Sequence, residues 1–160
     1  MILEALQELC DKLDETLKSK FGLSESKLVL DNLVAQDGTF SIINANKIVV
    51  SVINFGTDNL ISKGSNVSLP SQFREEEHHW LSNLRIRIII TANLISYSSS
   101  LAFLEEIAVF LDKQPVLIIP GIEDAKLKIS SCQLSDEELF GLFNSLGARL
   151  VPHLIYTVRL

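Results

Sequence analysis

The sequence has few of the residues from which common catalytic and cofactor motifs are built. Its seven glycines include no pair with the spacing of a dinucleotide fingerprint or of a phosphate loop followed by Lys-Ser or Lys-Thr. A Gly-x-Ser-x-Gly elbow, a His-Glu-x-x-His pair and a Cys-x-x-Cys pair are also absent. The local sequence therefore gives no support for nucleotide binding, a cofactor or the usual enzyme classes.

Positive charge is also scarce. The chain has 14 Lys and Arg against 20 Asp and Glu, a net charge of -6 and an isoelectric point near 5.0. A nucleic-acid partner is not expected, because such binding depends on cations that neutralise phosphates. The longest uncharged run, residues 88–104, is broken by polar residues, so no membrane insertion is expected either.

The N-terminus lacks a secretion signal and the cysteines are few. Acidic residues occur within the first turns, with no basic segment before an unbroken apolar stretch, which favours a cytoplasmic start. Cys10 and Cys132 are expected to pack as small apolar groups and not to form a disulfide. At 160 residues, the chain is expected to form one domain, 1–160, with a core of its own.

Three segments have helical periodicity. Residues 2–20 repeat leucine at spacings of three and four, and Gly22 follows where a left-handed cap would stop the helix. Residues 101–113 form a second amphipathic helix, for which the serines at 98–100 offer capping hydroxyls. The third begins at Ser135, which forms a capping box with Glu138, and ends at Gly147.

Five segments have the apolar content or alternation of strands. They are KLVLDNL (27–33), NKIVVSVINF (46–55), LRIRIIITANL (84–94), KLKISSCQL (126–134) and PHLIYTVRL (152–160). VLII (116–119), between Pro115 and Pro120, is assigned to no element. The fold class is therefore α/β (α+β), with a single mixed or mostly antiparallel sheet of four to five strands, an N-terminal helix and two further helices packed on it.

A long segment at 56–83 lacks periodicity and contains the cluster REEEHHW, residues 74–80. A loop of this length is usually functional or disordered, and its apolar residues favour ordering against a neighbouring subunit or a partner. His78 and His79, with His153 as a distant third ligand, form the only candidate metal site. Adjacent histidines point in different directions, so a solvated loop anchored by Trp80 is the preferred interpretation.

Several of these segments together resemble the tail-terminator or cap family of contractile injection systems, the phage-tail-like particles of bacteria. The resemblance is to the N-terminal domain of the larger terminators. It rests on the opening helix, on VLDNLVAQDG and NKIVVSVINF, on LRIRIIITANLISYSSSLAFLEEIAVFLDKQPVL and, above all, on ELFGLFNSLGARLVPHLIYTVRL at the end. None of these segments carries a catalytic motif, and the larger members continue beyond the point where this chain stops.

The resemblance implies a structural protein without enzymatic activity. Family members form a ring, commonly of six subunits, on the last layer of the inner tube, where they contact the sheath, end polymerisation and fix particle length. The implied partners are further copies of the chain, the tube protein and the sheath protein. The implied location is the bacterial cytoplasm during assembly and then the particle itself, released or anchored.

Seven side chains are candidate interface residues. They are Phe73, Arg74, Trp80, Arg85, Arg87, Tyr156 and Arg159. Arg85 and Arg87 share one face of a strand, which suits either an acidic partner or an ion pair within the chain. Two other functions remain open: a tail-completion or adaptor protein of the same particle and, more remotely, a small metal-dependent hydrolase built on the three histidines.

Overall fold

The computed structural model describes residues 2–35, 38–39, 41–57, 84–120 and 126–160. The helices in these residues are α1 (Ile2–Phe21), α2 (Tyr97–Lys113) and α3 (Asp136–Leu146). The strands are β1 (Leu28–Leu30), β2 (Lys47–Thr57), β3 (Leu84–Asn93), β4 (Val116–Ile118), β5 (Lys126–Ser131) and β6 (His153–Arg159). A short 3-10 helix, Ile42–Asn44, lies between β1 and β2.

The strands form one sheet in the order β1-β2-β3-β6-β5-β4. The β1–β2 pair is parallel and every other pair is antiparallel, so the prediction of a mixed, mostly antiparallel sheet is confirmed. The predicted four to five strands are too few, because VLII supplies the edge strand β4. A strand of three residues is too short to show an alternation, which is why the sequence did not reveal it.

Helices cover both faces of the sheet, but unequally. The helix-paired face, as we call the side under α1 and α2, packs leucines of α1 and Ile107 of α2 against Ile48, Ile86 and Ile88. On the opposite side, α3 places Phe143 against Ile89 and Ile155 in a smaller cluster. Because side chains alternate along a strand, each central strand contributes to both clusters.

The helix ends follow the predicted capping chemistry with one correction. Gly22 and Gly147 have φ of +62° and +67°, which a residue with a Cβ adopts only at a cost. The capping box is confirmed, since Ser135 Oγ accepts from the Glu138 N–H and Glu138 Oε2 accepts from the Ser135 N–H. The second helix begins earlier than predicted, because its cap is Ser96 and not one of the serines at 98–100.

The C-terminal segment forms a central strand. β6 lies between β3 and β5 and exchanges backbone hydrogen bonds with both. Residues 153–159 therefore join the two halves of the sheet. Cys10 is buried, Cys132 is half-buried beside α3, and both are free thiols, as predicted.

The prediction of a long irregular segment at 56–83 is wrong for its first two residues. Gly56 and Thr57 still belong to β2, where they pair with the start of β3. Residues 58–83, and with them the metal-site candidates His78 and His79, lie outside the described residues. Among the helices that the structure does describe, none has the length and hydropathy needed to cross a membrane.

Candidate assembly surfaces

A cluster of cations occupies the half of the sheet that α3 leaves uncovered. Leu84, Ile86 and Ile88 of β3 point into the helix-paired face, so Arg85 and Arg87 project from the other side. Arg159 of β6 and Lys126 and Lys128 of β5 project from the same side. We call this surface the basic face, and its members are Arg85, Arg87, Lys126, Lys128 and Arg159.

The strand register places like charges directly opposite one another. Arg85 of β3 is the partner of Arg159 in β6, and Arg159 is in turn the partner of Lys128 in β5. Opposing residues in neighbouring strands have Cβ atoms about 5 Å apart, and like charges there disfavour folding. The basic face thus concentrates five of the 14 cations of an acidic chain on three adjacent strands.

The basic face has a helix on one side and an apolar edge on the other. At the α3 side, hydrogen bonds from Ser135 lower the pKa of the Glu138 carboxyl, and the positive charge of Arg87 lowers it further. At the opposite side, the edge strand β4 exposes 46% of Val116 and 74% of Ile118. Both are aligned with lysines of β5, so the basic face is bordered by exposed apolar side chains.

The structure brings three of the seven predicted interface residues together. Arg85, Arg87 and Arg159 belong to the basic face, whereas Tyr156 points into the helix-paired face and is only 7% exposed. Burial raises the pKa of the Tyr156 hydroxyl, and the charge of Asp112 adds to the effect. The other three, Phe73, Arg74 and Trp80, lie outside the described residues.

Sequence reasoning missed the two lysines of the basic face. Lys126 and Lys128 alternate with buried Leu127 in the motif KLK, so the sequence did indicate a strand with a charged outer face. It could not indicate that this strand lies beside β6, because the pairing joins residues about 30 positions apart. The basic face therefore depends on the order of the strands in the sheet, which brings β5 next to β6.

The outer face of α1 has the opposite charge. Glu4, Glu8, Asp11 and Glu15 follow one another at helical spacing, and we call these four residues the acidic stripe. Lys12 lies among them, with its Nζ 3.8 Å from Glu8 Oε1 and 3.5 Å from Glu15 Oε2. A single lysine leaves this side of the helix negative. Because α1 packs on the helix-paired face, the acidic stripe and the basic face lie on opposite sides of the sheet.

A buried carboxylate fixes α1 in position. Asp14 is 9% exposed, its Oδ2 lies 2.7 Å from Lys18 Nζ, and its Oδ1 accepts the Lys27 backbone N–H at 3.2 Å. Burial alone would raise the pKa of Asp14, but the hydrogen bonds from Lys18, Ser26 and Lys27 together lower it. The nearby Cys10 thiol has its pKa raised to about 12, by burial first and then by its acidic neighbours, and is unreactive as a nucleophile.

A third exposed surface is apolar and lies at one end of the sheet, where β2 and β6 begin and β3 ends. Ile42 and Ile95 are 89% and 90% exposed there. The Ile95 N–H donates to Asn46 Oδ1, which ties the β3–α2 turn to the start of β2. We call this surface the apolar end, and its members are Ile42, Ile43, Ile95, Tyr97, Leu101 and Leu150.

A buried amide holds part of the apolar end in place. Asn44 is fully buried, and its Nδ2 donates to Asp31 Oδ2 at 2.9 Å and to the Asn32 carbonyl at 3.2 Å. Ile42 and Ile43 are in the same 3-10 helix and are thereby turned towards solvent. Exposed isoleucines on a rigid support are typical of surfaces that bind other proteins.

The histidine proposed as a distant metal ligand has local partners. His153 Nδ1 lies 2.7 Å from the Val151 carbonyl oxygen, and its ring packs against Phe143 with centroids 5.1 Å apart. Within the described ranges, no group of three or more His, Cys, Asp or Glu side chains is arranged to hold a metal ion.

Comparison with known proteins supports the fold assignment. No protein-family model matches the sequence, and no curated protein matches it either. Among solved structures, the fold is similar to the cryo-EM structure of the PVC sheath/tube terminator of an extracellular contractile injection system in its extended state, with a TM-score of 0.60 and 12% identity. The match covers 100% of this chain and 55% of the other, so this chain spans about half of that terminator's length.

Proposed function

We propose that this chain is a structural terminator of a contractile injection system. Copies of it form a ring, with six as the expected number, on the last layer of the inner tube, where they contact the sheath, stop polymerisation and fix particle length. The observation that carries the proposal is the fold similarity to a sheath/tube terminator over the whole length of this chain. The ring would assemble in the bacterial cytoplasm and remain part of the particle.

The surface chemistry supports a role in assembly. A ring of identical subunits needs two different surfaces on each copy and a further surface for the tube. The chain offers the basic face, the acidic stripe and the apolar end as three separate surfaces. In this proposal the apolar end meets the tube, because exposed apolar side chains at one end of the sheet suit a permanent protein contact.

The proposal assigns no bond-making step to the chain. The side chains that stand out in the described residues are charged or apolar groups on outer surfaces, and the buried Asp14 carboxylate and Asn44 Nδ2 make hydrogen bonds that hold elements together. A protein that acts by binding other subunits needs the correct surface shape and charge. It does not need a pocket with a perturbed acid or base.

Capping of growing tubes tests the proposal directly. Purified tube protein is polymerised with increasing amounts of this chain, and tube lengths are measured by electron microscopy. We expect the mean length to fall as the chain is added, with the chain present at tube ends. The matched control is a variant with Ile42 and Ile95 both replaced by serine, which should fold normally and shorten tubes less. Unchanged tube lengths with the wild-type chain would contradict the proposal.

A further inference from the structure

The basic face and the acidic stripe are complementary but cannot meet within one copy. α1 lies on the helix-paired face, while Arg87, Lys126 and Lys128 project from the other side of the same sheet. A sheet with helices on both sides keeps the two surfaces apart. Any contact between them therefore joins two copies, and it joins them head to tail, because each copy contributes a different surface.

The two surfaces are also comparable in extent. From Glu4 to Glu15 the acidic stripe extends about 16 Å along the helix, at 1.5 Å per residue. The basic face spans three neighbouring strands, which is about 10 Å between strand axes. Long lysine and arginine side chains extend its reach on each side.

Apolar side chains accompany the charges on both surfaces. Val116 and Ile118 are exposed along the edge of the basic face, and Leu3 and Phe55 are exposed beside the start of the acidic stripe. Leu3 and Phe55 line one groove together with Ile2 and Leu6. Charged residues beside exposed apolar ones give both orientation and affinity to a protein interface.

We propose that the basic face of one copy docks on the acidic stripe of α1 of the next copy, so that copies associate head to tail. This inference rests on the ring role proposed above and specifies which surfaces form the seam. A head-to-tail contact closes into a ring when its rotation divides a full turn, and otherwise gives an open filament. Assembly on the end of the inner tube would then favour the closed ring over the open filament.

Reversing two charges on one surface should weaken this association. The basic variant carries Lys126→Glu and Lys128→Glu, both at exposed positions on β5. The stripe variant carries Asp11→Lys and Glu15→Lys, both exposed on α1. Self-association is measured by analytical ultracentrifugation at about 50 mM salt, where surface charges are weakly screened. We expect each variant to associate at least about tenfold more weakly than the wild type.

Restoring complementary charges should restore association. The rescue experiment therefore tests whether the partner of the basic face is a second copy of this chain. A chain with all four substitutions exchanges the charges at two positions of each surface, so these positions can pair again, and we expect it to associate more tightly than either double variant. An equimolar mixture of the two double variants should also associate, as alternating copies. If the basic face instead bound the tube protein, the four substitutions would not restore self-association.

The control for the basic variant makes the same change in net charge at positions outside both surfaces. Lys113→Glu with Arg149→Glu reverses two exposed cations outside both surfaces and should associate like the wild type. Thermal melts confirm that each variant is folded. A wild-type chain that stays monomeric at low salt and high concentration, or four substitutions that fail to rescue a folded chain, would overturn the inference. Head-to-tail association without tube capping would sustain it and contradict the proposed function instead.

Discussion

The two faces of the sheet differ in how they are covered. The helix-paired face is closed by two long helices, and its central side chains, such as Ile86 and Ile88, are fully buried. Among the described residues, the other face carries one helix, α3, of 11 residues, and beyond it Lys126, Lys128 and Arg159 are exposed. The comparison indicates that stability is concentrated on one face and that the other is available for contacts with neighbouring molecules.

The largest expected effect comes from removing the strand that both faces share. Deleting residues 155–160 removes most of β6 and leaves β3 and β5 without a common partner. We expect loss of cooperative unfolding, measured by circular dichroism during heating. Deleting Leu160 alone, which lies beyond the end of β6, is the matched control and should keep a cooperative transition. A six-residue deletion that still melts cooperatively and still assembles would show that the two halves do not depend on β6.

A smaller but clear difference is expected between core truncations on the two faces. Leu13→Ala on the helix-paired face removes a fully buried side chain and should cost about 2–5 kcal/mol. Leu142→Ala on α3 removes a half-buried side chain and should cost roughly half as much. Urea unfolding measures both. Equal losses would mean that α3 supports the fold as strongly as α1 does.

The buried carboxylate on the helix-paired face gives a prediction with a pH dependence. Asp14→Asn removes the charge that Lys18 and the Lys27 N–H contact, and should lower the free energy of unfolding by about 1–3 kcal/mol.

The pKa of Asp14 is lowered in the folded chain, so its contribution is present above the unfolded value of about 3.9 and is lost as pH falls through the folded value. Urea unfolding between about pH 2 and 6 should therefore show a steeper acid loss for the wild type than for the Asn variant. Parallel plots of unfolding free energy against pH for the two proteins would show that other carboxyl groups cause the loss of stability in acid.

The smallest expected effect is a gain in stability on the basic face. Lys128→Glu places a carboxylate opposite Arg159 where two cations now oppose each other, and should raise the free energy of unfolding by about 0.2–1 kcal/mol. Lys113→Glu, at the end of α2, should instead lower it by a few tenths of a kcal/mol, about the strength of a helix-dipole contact. A loss for Lys128→Glu in urea unfolding would mean that Lys128 already stabilises the isolated chain.

Local patterns predicted most of the fold. The capping box at Ser135, the stops at Gly22 and Gly147 and the alternation in LRIRIIITANL all depend on interactions within a few residues, and the structure confirms each of them. The edge strand β4 was missed because a strand of three residues is too short to show a period. The cap of α2 was misplaced because several neighbouring serines have the same capping chemistry.

The candidate surfaces were harder to predict because they depend on which strands are neighbours. Arg85, Arg87 and Arg159 were recognised one at a time, but the sequence could not show that β3, β6 and β5 lie side by side with Lys128 opposite Arg159. The apolar end was missed for the same reason. Its isoleucines come from turns that are distant in the chain and that meet only through hydrogen bonds such as that of Ile95 with Asn46.

The length distribution of complete particles tests the central claim most directly. Particles are isolated from a strain that lacks this chain and from the same strain supplied with it, and their sheath and tube lengths are measured by electron microscopy. The account predicts a broad distribution with uncapped tubes in the first case and a narrow one in the second. Particles of uniform, normal length in the absence of the chain would contradict it.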